Sequence, residues 1–245
     1  MTLSDEIECV QTSKGDGAEE KLLRLSYCLL TTPACDFTYL PTLDSKESMM
    51  SSTVRVGAIQ TKRRSIRYTT PFKAALDQVR ENLDILVGLA EKAKEQSCDI
   101  IGYPEDTLGT LEWTSRHVDE TIDFLRAAQL EMLDRLGAAA GRLGIPIICC
   151  NDWVEDEGDI YNTAILLGPD GNEIGRYQKV QPTISEQSRK RGSGFPVFEV
   201  PGIGTLGLCI CYDMLFPKTT RALALAGADL MSPSPLDAPP RARGT

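Results

Sequence analysis

Residues 206–217, with the sequence LGLCICYDMLFP, place two cysteines one residue apart at the end of an alternating apolar run. The run is typical of a strand, and the segment PKTTRALALAG after it predicts a short helix between Pro217 and Gly227. A further strand pattern, ADLMSPS, comes next, so this part of the chain predicts a strand–helix–strand unit. Cys209 and Cys211 are open to four interpretations: a redox pair, two metal ligands, two packed thiols, or a nucleophile and its neighbour.

Upstream of this unit the chain alternates between strand and helix patterns. The predicted strands are VRVGAIQ, CDIIGYPE, IPIICCNDWV, a hairpin turning at residues 169–172, and a pair within residues 195–213. A long helix is predicted over residues 71–96, and a second one stops at Gly144. The apolar positions of the first helix recur at helical spacing: Ala75, Val79, Leu83, Leu86 and Ala90. This order predicts an α/β fold in which helices pack outside mixed sheets.

Composition narrows the class of protein. The net charge is −9, which provides no basic surplus for a nucleic-acid partner. We find no apolar stretch of membrane-spanning length and no secretory signal, and therefore expect a cytoplasmic protein with free thiols at its eight cysteines. The single histidine, His117, lies in a polar segment and is interpreted as a local partner rather than a catalyst.

Three reactive side chains follow predicted strands. Glu105 comes after CDIIGYP, Lys179 after NEIGRYQ, and Cys211 after TLGLCI. Strand ends are where loops converge on a rigid scaffold. Taken singly, these residues would be interpreted as a solvated carboxylate, a surface lysine and a packed thiol. A metal site at Cys209 and Cys211 would need a second pair of ligands at suitable spacing, and the sequence has none. Together, a thiol, a carboxylate and an ammonium suffice for acyl transfer without histidine.

Three segments, GYPEDTLG, GRYQKVQPTISE and GLCICYDMLFP, resemble in that order the signature blocks of the nitrilase, or carbon–nitrogen hydrolase, superfamily. The resemblance implies a four-layer α-β-β-α sandwich and a catalytic triad. It assigns Cys211 as the nucleophile, Glu105 as the general base and Lys179 as the lysine that stabilises the oxyanion. It further assigns Glu186 to substrate positioning and the Tyr212 backbone N–H to the oxyanion.

The resemblance also implies an activity. We expect hydrolysis of a non-peptide carbon–nitrogen bond in a small amide through a cysteine thioester, since the residues CYD after the strand resemble amidases and carbamoyl hydrolases. Two alternatives stay open: nitrile hydrolysis by the same triad, and a truncated, non-catalytic paralogue that associates with intact relatives. The implied partner is a small amide or nitrile, with no metal or organic cofactor, no nucleic acid and no membrane. A homo-oligomer is implied if the fold is complete.

The expected organisation has three parts. Residues 1–53 are polar and weakly periodic, and are predicted to be a weakly ordered extension with one short helical pattern, of which residues 1–49 are predicted to be dispensable. Residues 54–233 are the expected carbon–nitrogen hydrolase domain, and residues 234–245 an irregular Pro-rich tail. Because superfamily members continue with further strands and a helix, the domain is expected to be truncated at its C-terminus.

Overall fold

The computed structural model describes residues 6–13, 53–61 and 64–234. The first sheet contains β1 Glu6–Ser13, β2 Thr53–Gln60, β3 Ile100–Gly102, β4 Ile147–Val154, β5 Ile160–Leu167 and β6 Glu173–Gln178. The second sheet contains β7 Val197–Val200, β8 Gly204–Ile210 and β9 Leu230–Ser234. The α-helices are α1 Phe72–Glu95, α2 Leu111–Thr114, α3 Thr121–Leu143 and α4 Pro217–Leu225.

Both sheets are mixed, as predicted. The first runs in the order β1-β2-β3-β4-β5-β6, and the second in the order β7-β8-β9. Strands β2, β3 and β4 are mutually parallel, and β8 is parallel to β9, whereas the other neighbours are antiparallel. Parallel neighbours need a crossover, and α1, α3 and α4 lie in the connections that provide it.

The first helix layer covers the outer face of the first sheet. All five apolar positions predicted for the inner face of α1 are at most 2% exposed. They pack with residues of α3 and with Ile101, Ile147 and Cys149 of the sheet. Helix α3 ends, as predicted, at Gly144, whose φ of 63° is left-handed.

The opposite face of the same strands meets the second sheet. Along β4, Ile148 and Cys150 alternate with the helix-facing residues and join a second core cluster. Leu206, Leu208 and Ile210 of β8 complete that cluster from the other side. Cys209 faces away from it and packs on Leu223 of α4. The layers are therefore helix, sheet, sheet, helix, which confirms the α-β-β-α sandwich.

Residues 6–13 correct the prediction of a weakly ordered N-terminal extension. They form strand β1, which pairs with β2 in antiparallel register from Glu6↔Gln60 to Ser13↔Thr53. Half-buried Ile7 packs against the first core cluster. The physical reason is that an unpaired β2 would be an open sheet edge. The short helical pattern near residues 19–30 and the tail beyond Ser234 lie outside the described residues.

The structure confirms only part of the expectation that the cysteines are free thiols. Cys149, Cys150 and Cys209 are buried free thiols, and Cys211 is a half-buried one. Cys98 is instead disulfide-bonded, which corrects the expectation of free thiols at that position. It is buried beside β2, with its sulfur 3.0 Å from where a Cβ on Gly57 would lie. Among the helices of the described part, none is long and apolar enough to cross a membrane.

Deleting residues 2–13 should therefore destabilise the protein. Loss of β1 exposes the edge of β2 and the core surface under Ile7. We expect the melting temperature to fall by at least about 3 °C, since each kcal/mol shifts it by about 2–4 °C at this chain length. Deletion of residues 2–5 is the matched control, and equal melting curves for the two deletions would contradict a stabilising β1.

Candidate active site

Lys179 is a buried ammonium at the end of β6. Its side chain is 1% exposed, and Nζ donates to Glu105 Oε1 at 2.8 Å and lies 2.9 Å from Glu186 Oε2. Burial by itself lowers the pKa of Lys179, but the two carboxylates outweigh burial and raise it above its ordinary value. The lysine is therefore charged at neutral pH.

Glu105 lies in the turn that follows β3 and is 7% exposed. The next residue, Asp106, has a left-handed φ of 57°. The Asp106 carboxylate accepts hydrogen bonds from the backbone N–H groups of Thr110 at 2.7 Å and Leu111 at 3.2 Å, which fixes the turn. Removal from water raises the pKa of Asp106 to about 7, against the lowering effect of these hydrogen bonds. No sequence pattern indicates this anchoring role of Asp106.

Glu186 closes the 3-10 helix Ile184–Glu186 and is 9% exposed. Its Oε2 accepts hydrogen bonds from Thr183 N at 2.7 Å and Thr183 Oγ1 at 2.9 Å. Burial favours protonation, but hydrogen bonds from Thr183 and Asn162 and the charge of Lys179 lower the pKa of Glu186 overall. Glu186 is thus a second carboxylate held ionised against the buried ammonium.

Asn162 connects these groups and was missed by the sequence analysis. It lies on β5, is 3% exposed, and donates from Nδ2 to Glu105 Oε1 at 2.5 Å and to Glu186 Oε1 at 2.7 Å. The available signal was an amide inside the mostly apolar strand IYNTAILL. A buried polar side chain in such a strand needs partners, and here the partners are the two carboxylates.

Cys211 begins the 3-10 helix Cys211–Leu215 directly after β8. Its φ is 44°, in the left-handed region that a non-glycine residue occupies at a cost of about 1–3 kcal/mol. The sharp reversal takes the half-buried Cys211 out of the strand. The next side chain, Tyr212, is 38% exposed. Backbone strain of this kind is concentrated at active sites and ligand-binding sites.

Asp213 ties the Cys211 turn to the Lys179 segment. This fully buried carboxylate accepts hydrogen bonds from Tyr177 Oη at 2.7 Å and from Gln181 N at 2.9 Å. Tyr177 and Gln181 stand two residues before and two residues after Lys179. Asp213 also accepts from Ile210 N at 3.0 Å, which holds its own turn together. Sequence analysis missed this residue, because the contacts join segments more than thirty residues apart.

The predicted site residues therefore fall into two groups. Glu105, Lys179 and Glu186 contact one another directly. Cys211 and Tyr212 lie on the neighbouring turn, which Asp213 fastens to the lysine segment. A buried carboxylate, a buried ammonium and a thiol on an adjacent strained turn can perform base catalysis, charge stabilisation and nucleophilic attack.

Two other side chains that could react, those of Cys209 and His117, have local structural contacts. Cys209 is fully buried, and burial raises the pKa of its thiol to about 12, so the prediction that it is packed is confirmed. His117 Nδ1 lies 2.9 Å from the Trp113 carbonyl oxygen, and the two rings stack 4.0 Å apart.

Among the described residues, no group of three His, Cys, Asp or Glu side chains is arranged to hold a metal ion.

Comparison with known proteins agrees with this fold. The carbon-nitrogen hydrolase family matches residues 55–239, and the chain therefore belongs to that family, within the nitrilase superfamily. A formamidase from Bacillus cereus (strain AH820) is 40% identical over 173 residues, which are 68% of this chain and 50% of the relative. A formamidase from Bacillus thuringiensis (strain Al Hakam) is 28% identical over the same shares. The chain spans about half the length of the curated relatives it matches.

Solved structures of amidases are also similar to this chain. A crystal structure of an amidase from Nesterenkonia sp. is 25% identical, with a TM-score of 0.62 over 77% of this chain and 66% of that one. A mutant of the Nesterenkonia sp. AN1 amidase, also 25% identical with a TM-score of 0.61, shows acrylamide added to its active-site cysteine. That alignment covers 77% of this chain and 69% of the mutant.

Iodoacetamide should label Cys211 well before Cys209. Only the thiolate reacts, and Cys209 combines full burial with a thiol pKa of about 12. We expect peptide mass spectrometry of briefly treated native protein to find the adduct on Cys211. Denatured protein, in which both thiols react, is the control. Preferential labelling of Cys209 in the native protein would contradict the assignment.

Replacing Asp213 with asparagine should loosen the Cys211 turn. The amide presents an NH₂ group where the carboxylate accepts hydrogen bonds, and a hydrogen bond to a charged group is worth about 1.5–3 kcal/mol. We expect Asp213→Asn to lower both the melting temperature and the rate at which iodoacetamide labels Cys211. Asp156→Asn, at an exposed position before β5, is the control. Equal labelling rates in the two variants would exclude a link through Asp213.

Proposed function

We propose that this chain hydrolyses the carbon–nitrogen bond of a small, non-peptide amide through a thioester on Cys211. The observation that carries the proposal is the buried contact of Lys179 with Glu105 and Glu186, on a segment that Asp213 fastens to the Cys211 turn. The formamidase relatives and the amidase with a modified active-site cysteine support it. Formamide is accordingly the first substrate to test.

Formation of the thioester requires a base and an anion-stabilising group. Glu105 takes the proton of the Cys211 thiol, and the thiolate sulfur bonds to the amide carbonyl carbon. Negative charge then develops on the carbonyl oxygen, where the Lys179 ammonium and the Tyr212 backbone N–H stabilise it. Glu105 returns the proton to the amide nitrogen, the carbon–nitrogen bond breaks, and ammonia leaves.

Hydrolysis of the thioester uses the same groups again. Glu105 takes a proton from water, and the resulting hydroxide attacks the thioester carbonyl carbon. The carbon–sulfur bond then breaks, Cys211 recovers its proton, and a carboxylic acid is released. Removing and returning a proton in each half of the cycle suits a carboxylate whose position is fixed.

The hydrogen bonds assign different tasks to the two oxygens of Glu105. Oε1 accepts from both Lys179 and Asn162. Oε2 has no hydrogen bond within the described residues, and we assign proton transfer to it. Both oxygens of Glu186 accept from protein donors, so Glu186 contributes to substrate positioning by fixing the ammonium of Lys179.

The remaining expectations stay predictions. They are the domain limit at residue 233, the cytoplasmic location, the homo-oligomeric state, and the absence of cofactor, nucleic-acid and membrane partners. Each follows from the sequence patterns or the family resemblance described above.

Glu105→Gln and Lys179→Ala should each abolish most ammonia release from formamide. Losing a general base costs about 10²–10⁴ in rate, and losing an oxyanion donor costs about 10²–10³. Lys190→Ala is the matched control, because Lys190 lies shortly after Lys179 in the chain and its side chain is 60% exposed. Ammonia assays and melting curves of all variants separate loss of chemistry from loss of folding.

Three outcomes would contradict the proposal. Near-full activity of either variant would exclude the assigned triad. Ammonia release from a nitrile but not from amides would favour the nitrilase alternative. A stable adduct on Cys211 without any turnover would favour the non-catalytic paralogue.

A further inference from the structure

The amide of Asn162 lies between three different side chains. Nδ2 donates to Glu105 Oε1 and Glu186 Oε1, so both of its N–H groups are committed to carboxylates. On the other side, the Cys150 thiol donates to Asn162 Oδ1 with Sγ at 3.3 Å. Asn162 and Cys150 are 3% and 0% exposed, so water does not compete for these contacts.

The orientation of this amide decides whether the site is assembled. An amide oxygen and an amide nitrogen are nearly the same size, so packing alone does not distinguish the two orientations. A flipped Asn162 would turn Oδ1 towards two carboxylates and lose both hydrogen bonds. The two carboxylates favour the observed orientation. The Cys150 thiol reinforces it, because a protonated thiol is a weak donor that Oδ1 accepts. Burial raises the pKa of Cys150 well above its ordinary value, which keeps the thiol protonated.

We propose that Asn162 is a positioning residue for the Glu105 carboxylate, and that the buried Cys150 thiol helps to hold its amide in the observed orientation. The inference rests on the proposed function, since it concerns the base that activates Cys211. The two N–H groups hold Glu105 and Glu186 at a set separation around Lys179, and Glu105 Oε1 is thereby kept out of proton transfer. Neither Asn162 nor Cys150 is required to touch the substrate.

The chain supplies a matched control in the adjacent residue. Cys149 is equally buried on the same strand but points into the core beneath the helices. Its Sγ lies 3.9 Å from the Ile165 carbonyl oxygen. Replacing either cysteine with alanine removes one sulfur atom from a fully buried position, whereas only the Cys150 variant frees the amide of Asn162. Serine at position 150 retains a donor and should preserve the orientation.

The experiment compares Cys150→Ala, Cys150→Ser, Cys149→Ala, Cys149→Ser and Asn162→Ala with the unsubstituted chain. Two rates are measured: turnover of formamide, and alkylation of Cys211 by iodoacetamide. Loss of one hydrogen bond predicts an about 5- to 10-fold drop in both rates for Cys150→Ala, with KM unchanged. Asn162→Ala should lower both rates by about 100-fold, because two charge-assisted bonds are lost. Cys150→Ser should restore both rates, and the Cys149 variants should leave them unchanged.

The results separate this inference from the proposed function. If the unsubstituted chain is alkylated at Cys211 but releases no ammonia, the proposed function fails, while the alkylation rates still test the positioning role. Equal losses in Cys150→Ala and Cys149→Ala, or no recovery in Cys150→Ser, would overturn the role of Cys150. Unchanged rates in Asn162→Ala would overturn the role of Asn162. If that variant does not fold, Asn162→Leu, which has nearly the same shape and cannot donate a hydrogen bond, takes its place.

Discussion

The site depends on one buried positive charge. An ammonium removed from water costs several kcal/mol unless it is paired and hydrogen-bonded, and Lys179 is 1% exposed. Glu105 and Glu186 provide the pairing, but they leave the trio with a net negative charge. Donors from Asn162 and Thr183 then offset the excess of acceptors. The lysine thus requires a carboxylate, the carboxylates require donors, and the donors must stand on rigid elements.

Those rigid elements come from two sheets. Asn162 stands on β5 of the first sheet, and Cys211 follows β8 of the second. Packing between Tyr177, Ile148 and Ile210 joins the sheets, and the hydrogen bond from Tyr177 to Asp213 extends that join to the reactive turn. The apolar core between the sheets and the polar site are consequently connected through Tyr177, which belongs to the core and donates a hydrogen bond to Asp213.

Local patterns were sufficient for much of the fold. The spacing of Ala75 and Val79 located the buried face of α1, and Gly144 located the end of α3, because both signals depend on neighbours within one or two turns. Within the site, Glu105 and Lys179 were recognisable from their place after strands, and the structure brings them into contact. Their roles in chemistry stay proposals.

Non-local contacts were beyond the same reasoning. Asn162 and Asp213 act on residues far along the chain, and their own segments give no sign of the partners. Strand β1 pairs with a strand some forty residues later, so its polar sequence was taken for a weakly ordered extension. The disulfide at Cys98 was also unexpected, since composition favoured free thiols.

The wide spacing of the site residues has a consequence for the order of folding. Glu105 and Lys179 are 74 residues apart, and the Cys211 turn joins them only after both sheets have docked. Bringing such distant segments together carries a loop-closure cost, and contacts of this kind form slowly. Cys211, the proposed nucleophile, is therefore separated from Glu105, its proposed base, until the sandwich is closed. A partly folded chain would contain every one of these side chains and yet lack the assembled site.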